Sequence, residues 1–189
     1  MNISLKKQNT HEGFTLLEML FAIIIFSFSL VSLMLIAGKG VVATATAKDQ
    51  LIAQYLAEEG VEVARNMRDT NFLMWGAGGE ENWLTDLECA KDKACDIAYS
   101  QDSAPYLKPL EGSEQLLCIS KEYGSYGGCE DGGGGEPSKF SRGIYIENIP
   151  GDNTSRTIVS KVTWNQRSIN REYTLKTYIT DWQCTDTCE

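Results

Sequence analysis

The chain is poor in histidine, proline and positive charge. Its 189 residues include one histidine, His11, and four prolines, none of them before Pro105. Beyond residue 11, the absence of histidine excludes the Ser-His and Cys-His pairs of common hydrolases. Seventeen lysines and arginines against 26 acidic residues give a formal net charge of -9. That balance argues against binding nucleic acid through many phosphate contacts. An acidic chain can still carry a locally basic patch, for which Lys161, Arg167 and Arg171 are the candidates.

Charge is also almost absent from one long stretch. Residues 14–37 read FTLLEMLFAIIIFSFSLVSLMLIA, and Glu18 is the only charged residue among them. A helix of this length rises about 36 Å, more than the ~30 Å hydrocarbon core of a bilayer. Lys6 and Lys7 precede the run, so the positive-inside tendency places the amino terminus in the cytoplasm and the chain after residue 38 outside. We expect residues 14–37 to form one membrane-spanning helix.

Three interpretations of this segment compete: a cleaved secretory signal, a permanent anchor, and a segment processed in front of its apolar stretch. The run exceeds the roughly 7–15 apolar residues of a secretory signal, although residues 43–45 and 45–47, both Ala-Thr-Ala, supply small-residue cleavage sites after it. A plain anchor gives no reason for Glu18, since an ionisable group inside a membrane segment costs several kcal/mol. Glu18 therefore indicates a partner, or a position near the interface from which its side chain snorkels.

The residues around Glu18 carry a specific motif. Residues 13–20 read GFTLLEML, which resembles the amino-terminal motif of type IV prepilins and pseudopilins, a glycine followed by F-T-L-[IL]-E at the head of an apolar helix. The resemblance implies that a membrane-embedded prepilin peptidase removes residues 1–13 as a leader, cutting between Gly13 and Phe14 and methylating Phe14. It also implies an assembly role for Glu18, which would pair with the amine of Phe14 in its own or a neighbouring subunit.

An amphipathic helical pattern follows the apolar run over residues 38–75. Small or apolar residues recur at spacings of three and four, and this stripe consists of Ala53, Leu56, Gly60, Val63 and Met67. On the opposite side, Arg65 lies at helical pair spacing from both Glu62 and Asp69. Residues 56–69 also resemble a segment of minor, modification-type pilins. We expect the stripe to pack under a sheet formed by the rest of the chain.

Residues 76–189 predict a globular, β-rich domain outside the cytoplasm. Glycine and proline punctuate residues 76–139, which favours loops with short elements. Alternating patterns over residues 140–149, 157–164 and 172–182 predict three consecutive strands of an antiparallel meander. Helix and sheet together predict an α+β, pilin-like fold, in which the C-terminal half of the long helix packs against a small antiparallel sheet with disulfide-tied loops.

All six cysteines fall in the part of the chain that is predicted to lie outside the cytoplasm, where oxidation is expected. Their connectivity stays open, and the first hypothesis pairs neighbours: Cys89 with Cys95, Cys118 with Cys129, and Cys184 with Cys188. A zinc site is disfavoured, because the chain has no C-x-x-C and its only histidine lies in the leader. The acidic loop of residues 129–136 lacks the ordered pattern of a calcium loop. No metal or other cofactor is expected.

These patterns favour a structural subunit over an enzyme: a minor pilin held in the bacterial cytoplasmic membrane with its amino terminus inside, then added to an extracellular filament. The implied partners are prepilin peptidase, other pilin subunits, the pilus assembly platform and, before assembly, membrane lipid. Two alternatives stay open. One is a pseudopilin of a type II secretion system, which shares the motif. The other is a secreted or anchored ligand-binding domain with an ordinary signal, which predicts a start after Ala45 or Ala47, or no cleavage.

Overall fold

The computed structural model describes residues 15–76, 82–87, 89, 93–99, 104–121, 124–129 and 135–182. The described chain forms one helix and seven strands: α1 (Leu16–Gly76), β1 (Cys95–Ala98), β2 (Tyr106–Pro109), β3 (Gln115–Ile119), β4 (Tyr126–Gly128), β5 (Glu136–Ile149), β6 (Asp152–Gln166) and β7 (Ile169–Thr180). The chain divides into two compact units, residues 1–45 and residues 46–189. The second unit, called the globular unit below, therefore includes the C-terminal part of α1.

Within the globular unit, α1 buries the stripe that its sequence predicts. Four members of the stripe are buried and Met67 is half-buried. The buried face is wider than the pattern suggests, because Ala57, Val61 and Ala64 are also buried. The α+β, pilin-like architecture is thus confirmed: an amphipathic helix lies against an antiparallel sheet.

The charged side of α1 differs from the sequence prediction in one pair. Arg65 lies 3.8 Å from Glu62 as expected, but the predicted pair of Arg65 and Asp69 is wrong, because Asp69 contacts Arg68 at 2.8 Å. Arg65 instead donates a hydrogen bond to Thr177 Oγ1 on β7 at 3.0 Å. The guanidinium thus bridges the helix and the sheet, which helical spacing alone does not reveal.

The predicted meander is present in β5, β6 and β7, which pair in sequence order and antiparallel. Ser160, Val162 and Trp164 lie on the buried face of β6, as the alternation predicts. Each strand extends beyond its predicted start, because the polar residues that flank the alternating patterns also join the hydrogen-bonded ladders. β7 ends at Thr180, two residues before its predicted limit.

The region predicted to hold loops with short elements contributes four short strands to the same sheet. β5 is the hub of that sheet, since one of its edges carries β6 and the other carries both β3 and β1. β1 meets β5 through a single register pair, Cys95 opposite Ile144. β2 and β4 then extend the sheet beyond β1 and β3. Two apolar clusters form between α1 and the sheet, one around Phe72 and Ile144 and the other around Leu56 and Phe140.

On the face of the sheet that points away from α1, the loop that contains Ser113 and Glu114 lies close to β5 and β6. Tyr145 donates a hydrogen bond to the Ser113 carbonyl at 2.5 Å, and Thr163 donates one to Glu114 at 2.5 Å. Between them, the Ser113 carbonyl oxygen lies only 2.2 Å from the position that a Cβ would take on Gly143. A glycine at residue 143 is therefore required by the approach of this loop.

Replacing Gly143 with alanine is expected to lower the free energy of unfolding by about 1–3 kcal/mol, since the obstructing atom belongs to the backbone and cannot rotate away. Urea denaturation of the full-length chain in detergent, followed by tryptophan fluorescence, measures the loss. Gly112→Ala is the matched control, because a Cβ there meets no atom within 4 Å. A Gly143→Ala variant as stable as Gly112→Ala would contradict the close approach.

Candidate functional site

The start of α1 is a capped helix end that carries one carboxylate. Thr15 precedes the helix, and its Oγ1 accepts a hydrogen bond from the Glu18 backbone N–H at 3.3 Å. Its carbonyl accepts the first helical bond, from Met19, at 3.2 Å. Thr15 is therefore the N-cap, and Thr15-x-x-Glu18 has the spacing of a capping box. Glu18 lies in the first turn, where the helix dipole favours negative charge.

The surface that follows Glu18 is apolar except for three serines. Within the described residues, α1 is the one helix that is long and apolar enough to cross a membrane, with a mean hydropathy of 2.7 in its most apolar window. Its side chains from Leu16 to Ile36 are exposed. An apolar surface of this extent marks contact with lipid or with other proteins.

The serines of this apolar segment do not leave polar atoms unpaired. Ser27, Ser29 and Ser32 donate to the carbonyls of the residues four positions earlier, at 2.8, 2.9 and 2.9 Å. A hydroxyl satisfied inside its own helix can enter hydrocarbon at a much lower cost than a free one. The helix is therefore compatible with a bilayer despite these three residues, and Glu18 is its exceptional side chain.

The sequence-predicted site residues are described only in part. Glu18 lies on the exposed first turn of α1, whereas Gly13, Phe14, Cys184 and Cys188 lie outside the described residues. The structure therefore gives the helix that follows the predicted cleavage site, and its cap, but not the cleavage site itself.

Two disulfides tie loops of the globular unit. Cys89 is bonded to Cys95, and Cys118 is bonded to Cys129, which are two of the three neighbour pairs of the sequence hypothesis. The first bond anchors β1, because the Cys89 carbonyl also accepts a hydrogen bond from Ile146 of β5 at 2.6 Å. These four cysteines form two disulfides and are therefore not metal ligands. The described residues contain no group of three or more histidine, cysteine or acidic side chains placed to bind a metal.

A buried charged cluster, which the sequence patterns did not predict, joins α1 to β1 and β5. Arg142 on β5 is 0% exposed and donates to Asp96 of β1 at 2.5 Å, to Glu59 of α1 at 2.7 Å and to the Leu56 carbonyl at 3.2 Å. Tyr99 donates a further hydrogen bond to Glu59. A sequence signal existed: by alternation, Arg142 shares the buried face of β5 with Ile144.

The protonation of this cluster follows from its burial and its contacts. Burial alone lowers the pKa of the Arg142 guanidinium, but the carboxylates of Asp96 and Glu59 raise it above its ordinary value. Burial raises the pKa of the Asp96 carboxyl, while Arg142 opposes that change. Burial and the Glu59 carboxylate together raise the pKa of Tyr99. Because Arg142 is fully buried and its partners lie on α1 and β1, the cluster is a structural connection between these elements and β5.

The basic patch considered from the sequence is neutralised at one of its three residues in the structure. Lys161 is held between Glu114 at 3.2 Å and Glu172 at 3.5 Å, and these carboxylates raise the pKa of its ammonium group. Its charge is therefore compensated. Arg167 and Arg171 lie instead at the exposed end of the β6–β7 hairpin.

Comparison with known proteins finds a family-model match at the amino terminus. Residues 8–36 match the family model of the prokaryotic N-terminal methylation motif. This range covers Gly13, Phe14, Glu18 and nearly all of the apolar run. No curated protein matches the chain, and no solved structure matches it.

The chain therefore carries a prepilin-type methylation motif at the head of a long apolar helix, followed by a fold that is consistent with a type IV pilin-like protein. A motif of this type implies processing by prepilin peptidase and assembly with other pilin subunits. It suggests a structural subunit rather than an enzyme. The apolar helix near the amino terminus is consistent with the membrane anchor of a pilin.

Proposed function

We propose that this chain is a minor structural subunit of a type IV pilus or a related filament, cut after Gly13, methylated at Phe14 and held in the membrane until it is assembled. The observation that carries the proposal is the methylation-motif match over residues 8–36, placed directly at the start of a helix able to cross a bilayer. The position of the cut relative to the apolar run decides whether the anchor is kept. A cut before the apolar run leaves the anchor in the mature protein, whereas an ordinary signal is lost with its apolar region.

Glu18 has the role of pairing subunits during assembly. Cleavage after Gly13 creates a cationic amine at Phe14, one residue before the Thr15 cap and four before Glu18. The Glu18 side chain is exposed on the first turn, so its carboxylate is accessible to the amine of its own chain or of a neighbour. Opposite charges attract strongly where water is scarce, and an ionisable group in a membrane segment requires a partner of this kind.

The proposed topology places the globular unit outside the cytoplasm. Lys6 and Lys7 precede the apolar run, which favours a cytoplasmic amino terminus. The two disulfides support the same orientation, because such bonds form and persist in oxidising compartments. Membrane lipid surrounds the apolar helix before assembly, and other subunits and the assembly platform replace it afterwards.

The assignment to a minor pilus subunit rests on the resemblance of residues 56–69 to minor, modification-type pilins. A secretion pseudopilin shares the amino-terminal motif, so assembly must be tested separately. In a pilus-bearing host, the tagged full-length chain is expected in filaments sheared from the cells. Recovery only with a type II secretion complex would assign the chain to that machine instead.

The decisive test of processing is mass spectrometry of the amino terminus of the full-length chain, expressed with and without an active prepilin peptidase. With the peptidase, we expect a chain that begins at methylated Phe14. Without it, residues 1–13 are expected to remain. A start near Thr46 or Lys48, or an uncut chain despite active peptidase, would reject the proposal.

A matched pair of glycine variants tests whether Gly13 itself directs the cut. Gly13→Val is expected to retain the leader in nearly all molecules, because a branched side chain prevents the close backbone approach that glycine permits. Gly38→Val, placed after the apolar run, is expected to be processed like the natural chain. Equal processing of the two variants would show that the peptidase reads another feature.

A further inference from the structure

The β6–β7 hairpin ends in a tight turn with an exposed apolar and basic surface. Gln166 pairs with Ile169, so the turn consists of Arg167 and Ser168 alone. Both have positive φ, 52° and 65°, as a two-residue turn that follows the twist of its strands requires. Ile169 is 58% exposed, and Arg167 and Arg171 are exposed on either side of it. We call residues 166–171 the hairpin tip.

The hairpin tip is fixed beside the first residues of the globular unit. Gln166 Nε2 donates to Thr46 Oγ1 at 3.1 Å and to Asp49 Oδ2 at 3.1 Å. Lys139 Nζ lies 2.6 Å from the same Asp49 oxygen. Thr46 is the residue at which the globular unit begins. The hairpin tip is therefore held at the point where the chain enters this unit.

The charge of the hairpin tip is opposite to that of the whole chain. The chain has a formal net charge of -9, and six of the thirteen lysines and arginines described in the globular unit contact acidic side chains. Arg167 and Arg171 have no acidic side chain within ion-pair distance among the described residues. The same holds for exposed Lys48, the neighbour of Asp49. A small basic region thus lies at one place on an acidic protein.

Chain connectivity limits the distance between Thr46 and the apolar run. Thr46 lies nine positions after Ala37, the last residue of the apolar run, and both belong to α1. Nine helical steps rise about 14 Å. Headgroups occupy roughly 5–8 Å beyond the hydrocarbon core, and charges interact over about 8–10 Å at physiological salt. A helical connection therefore keeps Thr46 within the roughly 13–18 Å that the headgroups and screened charges together span.

We propose that the hairpin tip binds the headgroups of anionic phospholipids in the leaflet from which the chain emerges, with Arg167 and Arg171 on phosphates and Ile169 in the interface. This inference rests on the membrane anchoring in the proposed function. Interfacial protein segments combine apolar side chains with basic ones, as Ile169 is combined here with Arg167 and Arg171. Lipid is the occupant that the anchor itself brings to this place, which distinguishes it from an acidic protein met by diffusion.

The test uses a tryptophan reporter in the full-length chain reconstituted into vesicles with bromine-labelled acyl chains, which quench nearby indoles. Ile169→Trp places the reporter in the hairpin tip. Tyr178→Trp is the matched control, since Tyr178 lies on the same strand, nine residues further along, and is 70% exposed. The fluorescence of the unaltered chain is subtracted from both. Vesicles are made of phosphatidylcholine alone or mixed with phosphatidylglycerol.

We expect the Ile169→Trp reporter to be quenched in vesicles that contain phosphatidylglycerol, and much less in phosphatidylcholine or at high salt. The control reporter is expected to respond equally in both. Each basic residue near an anionic surface strengthens binding about five-fold, so adding Arg167→Gln and Arg171→Gln should weaken contact of the hairpin tip roughly 30-fold. Lys176→Gln, on the same strand, should leave that contact unchanged.

Flotation of the vesicles separates the two ways of failing. A chain that floats with the vesicles through salt and alkaline washes, but whose Ile169→Trp reporter is not quenched or is quenched alike in both lipids, overturns the lipid contact and leaves the anchor intact. A chain that does not float overturns the anchoring and the lipid contact together. Retained quenching after removal of both arginines also rejects the proposal.

Discussion

Replacing Asp96 with alanine is expected to lower the free energy of unfolding of the globular unit by about 3–5 kcal/mol, because it leaves a buried guanidinium short of its main counter-ion. Arg142 is fully buried and lies 2.5 Å from Asp96, which is itself 1% exposed. Glu59, the remaining carboxylate, is partly exposed and does not replace that contact. Urea denaturation of the full-length chain in a non-ionic detergent, followed by the fluorescence of the buried tryptophans, measures the change.

Two companion variants show whether the loss comes from the unpaired charge. Glu62→Ala removes a surface partner of Arg65 and is expected to cost less than about 1 kcal/mol. The double variant Asp96→Leu with Arg142→Met removes both charges and keeps their volume, so it should recover most of the stability. Such recovery is reasonable because Asp96 Oδ2 and Arg142 Nη2 have no hydrogen-bond partner among the described residues. A double variant as unstable as Asp96→Ala would show that packing, not charge, dominates.

Removing the Cys89–Cys95 disulfide is expected to destabilise the globular unit more than removing Cys118–Cys129, which reverses the order given by loop length. The two bonds close sequence separations of 6 and 11 residues. Loop entropy alone assigns them about 2.4 and 2.8 kcal/mol. We expect about 4–5 kcal/mol for the Cys89→Ala/Cys95→Ala variant. Its bond also holds β1, which has one register pair with β5, and β1 carries Asp96.

A mutant cycle tests that coupling directly. Asp96→Ala should cost clearly less in the Cys89→Ala/Cys95→Ala background than in the natural chain, since β1 then no longer holds Asp96 against Arg142. In the Cys118→Ala/Cys129→Ala background, its cost should stay unchanged. Additive losses in both backgrounds would mean that β1 keeps its place without the disulfide.

The sequence predicted those parts of the fold whose signals are local. The meander follows from residue alternation, and the buried stripe of α1 follows from helical spacing, because each period places side chains on one face whatever lies opposite. The methylation motif is more local still, since a peptidase reads consecutive residues around Gly13. The amino-terminal assignment therefore required no tertiary structure.

Contacts between distant segments followed no such rule. Alternation places Arg142 on the buried face of β5, but only the sheet order brings Asp96 of β1 and Glu59 of α1 to it. Helical spacing predicts two partners for Arg65, Glu62 and Asp69. In the structure, Arg65 contacts Glu62 and donates a hydrogen bond to Thr177 of β7 in place of the predicted contact with Asp69. The residues around Gly143 in the sequence do not show that a glycine is required there. The requirement comes from the carbonyl of Ser113, thirty residues earlier, which leaves no room for a Cβ.

The sequence by itself determined the processing motif, the apolar helix, the helix-and-meander plan and the neighbour-pairing hypothesis for the cysteines. Only the tertiary structure decided which charges are compensated: it buried Arg142 with Asp96, enclosed Lys161 between two carboxylates, and left Arg167 and Arg171 exposed beside Thr46. The physical reason is the range of each interaction. Periodicity and motif recognition act over a few residues, whereas an ion pair depends on which distant segments the fold brings within about 4 Å.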